Sequence, residues 1–231
     1  MAGSDIKERA SSDIEKAYWL LRQEILAGRL APGEKLRIDY LKSTYGYGAS
    51  GIREALSRLL SDGLVASEAQ RGFWVAPVSV EDLRDLTATR KVIEVEALRQ
   101  AILCGDVAWE ARVVAAQYRL ERFETSLVQE TADSVIAWET ANRDFHLAMI
   151  SGCPVGRLVR FTEHLYDQVM RYRHRTTLRR SFPRHGLSSD HLKIVQYSLQ
   201  RDSNAACAAL IDHIESIARQ AEKSIFGTQA S

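Results

Sequence analysis

Apolar residues recur at helical spacing in three short segments near the beginning of the chain. This spacing predicts amphipathic helices over residues 12–28 and 37–45, and a third helix that ends at Gly63. Ser12 begins a capping-box pattern, and Ser50 is placed to cap the third helix. The first part of the chain is therefore predicted to be mainly helical.

Two short segments after these helices have the character of strands. Leu64–Ser67 and Phe73–Ala76 flank Arg71-Gly72, where we expect a tight turn. Helices followed by such a hairpin give the element order of a winged helix-turn-helix, a fold that docks on duplex DNA. We therefore predict a winged helix-turn-helix domain over residues 1–77.

The hydrophobic pattern changes at Val80, after which every strong period is close to 3.6 residues. A chain of 231 residues is long enough for a second domain, and we expect an all-α helical bundle over residues 80–226. The fold class is thus mainly α. The predicted bundle helices lie at 80–104, 107–129, 133–151, 155–180, 187–201 and 203–226, the last of them capped by Asp202 or Ser203.

Composition limits the remaining choices. A hydrophobic content of 45% favours a globular chain, and no apolar run is long enough for a membrane span. The polar N-terminus lacks the apolar stretch of a signal peptide, so we expect a cytoplasmic protein with no membrane partner. The odd, scattered set of three cysteines favours reduced core thiols. A net charge of +1 does not decide nucleic-acid binding, which depends on local charge.

Residues on the solvent side of the third predicted helix are the candidates for reading DNA. Ser50, Arg53 and Ser57 lie opposite the apolar face of that helix. Arg53 is the strongest candidate, because a guanidinium can form two parallel hydrogen bonds with guanine or phosphate. The other predicted DNA contacts are Arg37, Lys42 and Arg58 on the helices and Arg71 and Gly72 at the wing tip. The alternative is a protein-docking module whose charged face is only solvated.

Three histidines fall on the apolar faces of three predicted bundle helices: His146, His191 and His213. Asn142 lies one turn before His146, so these two side chains sit together. Imidazoles on three inward faces can converge on a divalent ion, and zinc and nickel suit such ligands. The alternative for each histidine is a core residue satisfied by one hydrogen bond.

Arg90 shares a helix face with apolar residues and is expected to point inward. A buried arginine needs a partner. Glu94, one turn later, is the ordinary partner, and an effector carboxylate is the functional alternative. The basic run Arg171–Arg180 is interpreted as a solvated helix end, although Tyr172 or Arg171 is placed to line a pocket.

Four segments resemble bacterial transcription regulators of the GntR family: Tyr18–Leu36, Arg53–Leu56, Asp62–Val65 and Arg71–Ser79. The second domain resembles the FCD-type ligand-binding domain of the FadR subgroup, most closely that of its carbon-starvation-induced type. The resemblance implies a homodimer that binds a short pseudo-palindromic operator and is released by a small metabolite. It also implies a divalent-metal site, holding zinc or else nickel or manganese, at Asn142, His146, His191 and His213.

One segment departs from the family pattern. Where relatives begin the recognition helix with a Ser-Arg-Thr-Pro type of sequence, this chain has Gly48-Ala49-Ser50-Gly51. Ala49 replaces the usual base-reading arginine, whereas the later family arginine is kept as Arg53. The operator of relatives therefore does not carry over, and specificity should rest on Arg53, the wing and DNA shape.

Together these patterns predict a transcription repressor rather than an enzyme. We expect a small carboxylate effector, for example a dicarboxylate, to bridge the metal and Arg90. The resemblance supports this role for Arg90, because relatives hold their ligand with an arginine in the same helix. The predicted effector-binding residues are Arg90, Glu94 and Tyr172. Two rival interpretations stay open at this point: a metal-dependent enzyme that uses Glu94 as a base, and a DNA-binding protein without a sensor.

Overall fold

The computed structural model describes residues 2–68, 71–126, 132–178 and 184–227. Its contacts divide the chain into two compact units, residues 1–79 and 80–231. The mainly α fold predicted from the hydrophobic pattern is confirmed, with a winged helix-turn-helix in the first unit and a helical bundle in the second.

The first unit combines three helices with a small antiparallel sheet. The sheet has the order β1-β3-β2, and Lys35 pairs with Trp74 and Val65 with Val75. Its elements are α1 (Ala2–Leu26), β1 (Lys35–Leu36), α2 (Ile38–Tyr45), α3 (Ala49–Ser61), β2 (Val65–Glu68) and β3 (Gly72–Val75). Strand β1 was not predicted, because two residues are too few to show an alternating pattern.

Two predicted helix caps in this unit are wrong. Helix α1 begins at Ala2, so Ser12 lies inside it and cannot cap it. Helix α3 begins at Ala49, with Gly48 as its N-cap residue and no side-chain cap hydrogen bond, so Ser50 belongs to its first turn. The stop at Gly63 agrees with the prediction, because its φ of 72° is one that side chains resist.

A continuous apolar core holds the first unit together. Helices α1 and α3 pack against each other, with Leu21, Leu56 and Leu59 fully buried between the elements. Burial of a leucine side chain contributes roughly 1.5–3 kcal/mol, so the short helices of this unit are stabilised mainly by their shared core.

The second unit contains six helices among its described residues, and no strand is found there. They are α4 (Val80–Cys104), α5 (Val107–Ser126), α6 (Ala132–Ile150), α7 (Gly156–Leu178), α8 (Arg184–Leu199) and α9 (Ser203–Phe226). The predicted extensions over 127–129 and 179–180 lie outside the described residues. Asp202 caps α9 as predicted, its carboxylate accepting a hydrogen bond from the backbone N–H of Ala205 at 3.0 Å.

Helix α4 packs against α9 and α7, and α5 packs against α6 and α8. A Cβ atom at Gly105 would lie 2.4 Å from the ring of Trp109, so only glycine permits this close approach between α4 and α5. All three cysteines are free thiols, but Cys104 is exposed rather than in the core as predicted. Among the described residues, no helix is sufficiently long and apolar for a bilayer crossing.

Candidate DNA-binding surface and buried histidine cluster

Helix α3 presents one apolar and one polar face. Ile52 and Leu56 are fully buried against the rest of the unit, whereas Ser50, Arg53 and Ser57 are exposed. The three exposed side chains lie together, because successive positions in an α-helix turn by about 100°. The structure therefore places the predicted base-reading residues on a single accessible helix surface.

The other predicted DNA contacts fall on neighbouring elements. Arg37 is exposed at the N-cap of α2, and Lys42 is exposed in the last turn of that helix. Arg71 is exposed at the wing tip, where it forms an ion pair with Glu68 at 2.8 Å. Gly72 adopts a φ of 105°, which allows the wing to turn.

Arg58, the remaining predicted DNA contact on α3, forms an ion pair within the winged unit. Its Nη1 lies 2.8 Å from the carboxylate of Glu15 on α1, and its guanidinium lies 4.3 Å from the ring centroid of Tyr18. The hydrogen bond from Arg58 lowers the pKa of Glu15. Arg58 therefore lies on the flank of α3 that faces α1, and its contact with DNA phosphate stays a prediction.

Three helices of the second unit bring their histidines to one point. His146 on α6, His191 on α8 and His213 on α9 are all buried, and each offers a nitrogen within 4.8 Å of the others. The ring centroids of His191 and His213 are 4.7 Å apart, and those of His146 and His191 are 5.3 Å apart. We call these three side chains the histidine cluster.

The histidine cluster carries nitrogens to which the described residues offer no hydrogen-bond partner. Within the part of the chain that the structure describes, hydrogen-bond partners are lacking for Nε2 of His146, both ring nitrogens of His191 and Nδ1 of His213. Burial is the main cause of the lowered pKa of all three side chains, so the imidazoles are neutral at pH 7. Orphaned polar atoms are costly in a protein interior, and neutral imidazoles at this spacing fit a divalent metal.

The carboxylate of Asp190 stands beside the histidine cluster. One of its oxygens lies 3.8 Å from Nδ1 of His213, beyond hydrogen-bond distance but close enough for electrostatic attraction. A carboxylate in this position orients a metal-ligating imidazole by favouring the proton on the nitrogen that faces it. His213 would then present Nε2 to a metal.

Asn142 lies beside Arg173, a buried arginine that was not predicted as a site residue. With its amide oxygen toward Arg173, Asn142 accepts hydrogen bonds from Nη1 at 2.9 Å and from Nη2 at 3.1 Å, and also accepts one from the hydroxyl of Tyr166. Arg173 pairs with Glu139 at 3.2 Å and lies over the ring of Trp138. The amide oxygen of Asn142 is therefore engaged by protein donors.

The interpretation of Arg171–Arg180 as a solvated helix end is wrong for its described side chains. Arg171, Tyr172 and Arg173 are all buried. The hydroxyl of Tyr172 donates to the carboxylate of Asp82 at 2.5 Å. A signal for Arg173 was present in the sequence, because it stands at helical spacing from the buried Tyr166.

Arg90 points inward as expected, and Glu94 is its partner. Two hydrogen bonds of 2.5 and 3.0 Å join the guanidinium to the carboxylate, and both side chains are buried. A small cavity of about 10 Å³, the size of one water molecule, lies between Arg90, Tyr172 and Arg173. Of the predicted effector residues, Arg90 and Tyr172 line this cavity, whereas Glu94 does not line it and already occupies the guanidinium of Arg90.

Two family models match the chain in succession. Residues 13–75 match the bacterial regulatory proteins of the gntR family, and residues 85–216 match the FCD domain. The two matches fall within the two structural units.

Similar proteins are named as regulators of the same kind. The chain is 44% identical to the HTH-type transcriptional regulator BphR of Paraburkholderia xenovorans, over 88% of this chain and 82% of that protein. It is 35% identical to the HTH-type transcriptional repressor GlaR of Escherichia coli, over 68% and 70% of the two chains. These relatives are regulators rather than enzymes.

Solved structures share the fold. E. coli McbR/YncC has a TM-score of 0.74 at 19% identity, with 91% of this chain and 98% of that chain covered. A GntR regulator from Rhodococcus has a TM-score of 0.72 at 21% identity, with 91% and 97% covered. The chain therefore belongs to the GntR family of DNA-binding transcription regulators, in the FadR-like group that carries an FCD domain.

Proposed function

We propose that this protein is a cytoplasmic transcription repressor that a divalent metal and a small carboxylate release from its operator. The observation that carries the proposal is the histidine cluster, in which buried nitrogens without partners among the described residues stand close to buried arginines. Membership of the matched family supports DNA binding, and the buried histidines support a role of the helical unit as a ligand sensor.

On the DNA side, α3 is the recognition helix. Its exposed face enters the major groove, where Arg53 bonds to guanine or to phosphate. Arg37 and Lys42 are exposed cations on the adjoining helix and bind phosphate, which positions the domain without reading sequence. Arg71 and Gly72 bring the wing tip to the minor groove.

On the sensor side, His146, His191 and His213 hold the metal. Zinc is the first choice, with nickel or manganese as the other candidates. The predicted fourth ligand, Asn142, would have to release Arg173 or share its oxygen. When bound, the ion supplies a positive centre that attracts the carboxylate of an effector.

Arg90 is the proposed anchor for the effector. The cavity beside it holds about 10 Å³, which is too small for a dicarboxylate, so the effector must displace side chains on entry. Exchange of the Glu94 carboxylate for an effector carboxylate at Arg90 provides such a displacement. Helix α4 carries both residues and begins at Val80, directly after the winged unit, so it can transmit the change.

Repression and the choice of effector rest on similarity. GlaR and RspR of E. coli, which are 35% and 24% identical to this chain, are both named as repressors. The resemblance to the carbon-starvation-induced type motivates a dicarboxylate. We further propose a homodimer on a pseudo-palindromic operator, because half-sites are read only when two recognition helices lie about one helical turn of DNA apart.

The DNA half of this proposal is tested by selecting duplexes from a random library with the purified full-length protein. Arg53→Ala should lower affinity for the selected duplex by about ten- to a hundredfold, since a bidentate contact contributes roughly 1–3 kcal/mol. Arg119→Ala, an exposed arginine on α5, is the matched control and should bind normally. Equal affinities for all three proteins would contradict the assignment of α3.

The sensor half is tested by thermal shift with zinc and a set of mono- and dicarboxylic acids. Zinc, and zinc with one class of acid, should raise the Tm of the wild type, because ligands that bind only the folded state stabilise it. His146→Ala should lose the response, whereas His164→Ala, an exposed histidine on α7, should keep it. The same response in both variants would show that the histidine cluster is not the sensor.

A further inference from the structure

Helix α3 is joined to α1 by polar contacts as well as by apolar packing. The guanidinium of Arg58, in the last turn of α3, reaches the carboxylate of Glu15 on α1 at 2.8 Å. The same guanidinium lies over the ring of Tyr18, whose hydroxyl donates to the carboxylate of Asp62 at 2.7 Å. Asp62 is the C-cap residue of α3. We call Glu15, Tyr18, Arg58 and Asp62 the α1–α3 clamp.

The contacts of the clamp support one another. One oxygen of Glu15 accepts from Arg58, and the other accepts from Nε1 of Trp19 at 2.8 Å, so the carboxylate is held from both helices. Arg58 and Asp62 are one turn apart on α3, and Glu15 and Tyr18 are about one turn apart on α1. Two helix faces therefore meet through two hydrogen bonds that carry a charge, which are the stronger kind.

The clamp contributes direction more than stability. The side chains of Arg58 and Glu15 are 41% and 51% exposed, and an ion pair in such a position contributes little to the free energy of unfolding. Apolar burial holds α1 against α3, but it is non-directional and does not by itself prevent one helix from rotating against the other. Hydrogen bonds weaken steeply when they are bent, so the clamp resists that rotation.

A small rotation of α3 would misplace the side chains that are proposed to read DNA. The surface of a helix lies about 5–6 Å from its axis, so a rotation of roughly 10° moves an atom there by about 1 Å. This exceeds the tolerance of a hydrogen bond, whose length varies over about 0.5 Å. Arg53 stands about 140° around α3 from Arg58, because the two are five positions apart. Arg58 thus controls a face of the helix that it does not belong to.

We propose that the α1–α3 clamp positions the recognition helix, and that Arg58 affects sequence selectivity through Glu15 and Tyr18. This inference rests on the proposed role of α3 as the recognition helix and adds the residues that direct it. The alternative is the predicted phosphate contact, in which Arg58 would exchange Glu15 for DNA. The two roles differ in sign for Glu15. Its removal weakens selective binding if it positions α3, and tightens binding to all DNA if it competes with phosphate.

The test compares the affinity of the full-length protein for the selected duplex and for a scrambled duplex of the same length, at several salt concentrations. Glu15→Ala should lower the ratio of the two affinities by about fivefold or more, the discrimination that one well-placed base contact supplies. Its Tm should stay close to that of the wild type, because the pair is exposed. Asp13→Ala removes the same charge from the same helix, where Asp13 faces Lys16 instead, and should match the wild type.

Arg58→Ala separates positioning from phosphate contact. A lost phosphate contact would reduce the slope of log affinity against log salt by about 0.9 and leave the ratio between the duplexes unchanged. Positioning predicts the reverse, an unchanged slope on the scrambled duplex and a ratio lowered by about fivefold or more. Glu15→Ala combined with Arg58→Ala should lose no more selectivity than either single variant, because both remove the same contact.

Tyr18→Phe tests the other half of the clamp with a smaller change, and it keeps the test decisive if circular dichroism shows that Arg58→Ala does not fold. It removes the hydroxyl that bonds to Asp62 and keeps the ring under Arg58. The ratio between the duplexes should fall by about twofold or more, in keeping with the loss of one hydrogen bond. Tyr118→Phe, at an exposed tyrosine of α5, should leave the ratio unchanged.

Arg53→Ala in the same measurement distinguishes this inference from the proposed function. If Arg53→Ala loses selectivity whereas Glu15→Ala and Arg58→Ala keep it, the clamp is wrong and the recognition helix stands. The clamp is also wrong if Glu15→Ala tightens binding to both duplexes, or if Arg58→Ala lowers only the salt slope. If Arg53→Ala keeps full selectivity, the assignment of α3 is wrong, and the role of the clamp with it.

Discussion

The two units of this protein differ in where their candidate functional polar side chains lie: on the surface of the winged unit and in the interior of the helical unit. Twelve polar or charged side chains are buried in the described part of the chain, and all of them belong to the helical unit. Among the described residues of the winged unit, the fully buried positions are apolar, and the candidate DNA contacts lie outside.

Under the proposed function, this difference follows from what each unit would contact. A DNA-docking surface works on the outside of a rigid core, so burial of polar groups would add cost without function. A sensor for small polar ligands must hold its groups inside, where the low dielectric strengthens each interaction. As a consequence, the stability of the helical unit's core depends on paired charges as well as on apolar packing.

The largest predicted effect comes from breaking a buried charge pair in the helical unit. Glu94→Gln leaves Arg90 without its carboxylate and should lower the free energy of unfolding by roughly 3–5 kcal/mol. Replacing both residues, Arg90→Met with Glu94→Leu, should restore most of that loss. Urea denaturation checks both, and a double variant less stable than Glu94→Gln would contradict the electrostatic explanation.

The winged unit should instead be sensitive to cavities. Leu56→Ala removes a fully buried side chain of α3 and should cost roughly 2–5 kcal/mol. Leu60→Ala, at an exposed leucine of the same helix, should have little effect. Hydrogen exchange should locate the loss in the winged unit, and a uniform change across both units would argue against their independence.

Much of the arrangement that these variants probe was predictable from the sequence, because helical spacing determines which side chains share a face. The exposed position of Arg53 and the inward position of the three histidines follow from that spacing alone. The buried position of Arg173 was not predicted, because it lies in a run of basic residues and such a run is typical of a solvated helix end. The partner of Arg58 was missed because a contact between α1 and α3 depends on how the helices pack, which the pattern of either helix does not contain.

The histidine cluster should make the metal-free protein sensitive to acid. Burial lowers the pKa of His146, His191 and His213 below 6.5, so the unfolded chain binds protons that the folded protein does not. The stability contributed by these neutral side chains is present above pH 6.5 and is lost as the pH falls below it. Each histidine should contribute about 1.4 kcal/mol per pH unit in that range.

Denaturation at several pH values in the presence of a chelator measures this slope. His191→Gln should reduce it by about one histidine's share, whereas His164→Gln, at an exposed position, should leave it unchanged. If His191→Gln leaves the dependence of unfolding free energy on pH unchanged, the pKa of His191 is not lowered in the folded protein and this explanation is wrong.

The smallest predicted effect concerns the helix that carries His213. Asp202→Ala removes the N-cap of α9 and should cost about 1 kcal/mol, because the backbone N–H of Ala205 loses its acceptor. Zinc affinity should be preserved, since the cap lies at the helix end and the histidine in its middle. Asp212→Ala, an exposed aspartate within α9, controls for charge, and an equal loss there would exclude capping as the cause.

The most direct test of the account joins the two units in one experiment. It measures the affinity of wild type and His191→Ala for the selected duplex, with and without zinc and the acid that raises Tm. The account predicts that zinc with the acid weakens wild-type DNA binding by about tenfold or more, while His191→Ala binds DNA normally and does not respond. DNA affinity that is unaffected by zinc and acid in the wild type, or equally affected in His191→Ala, would contradict it.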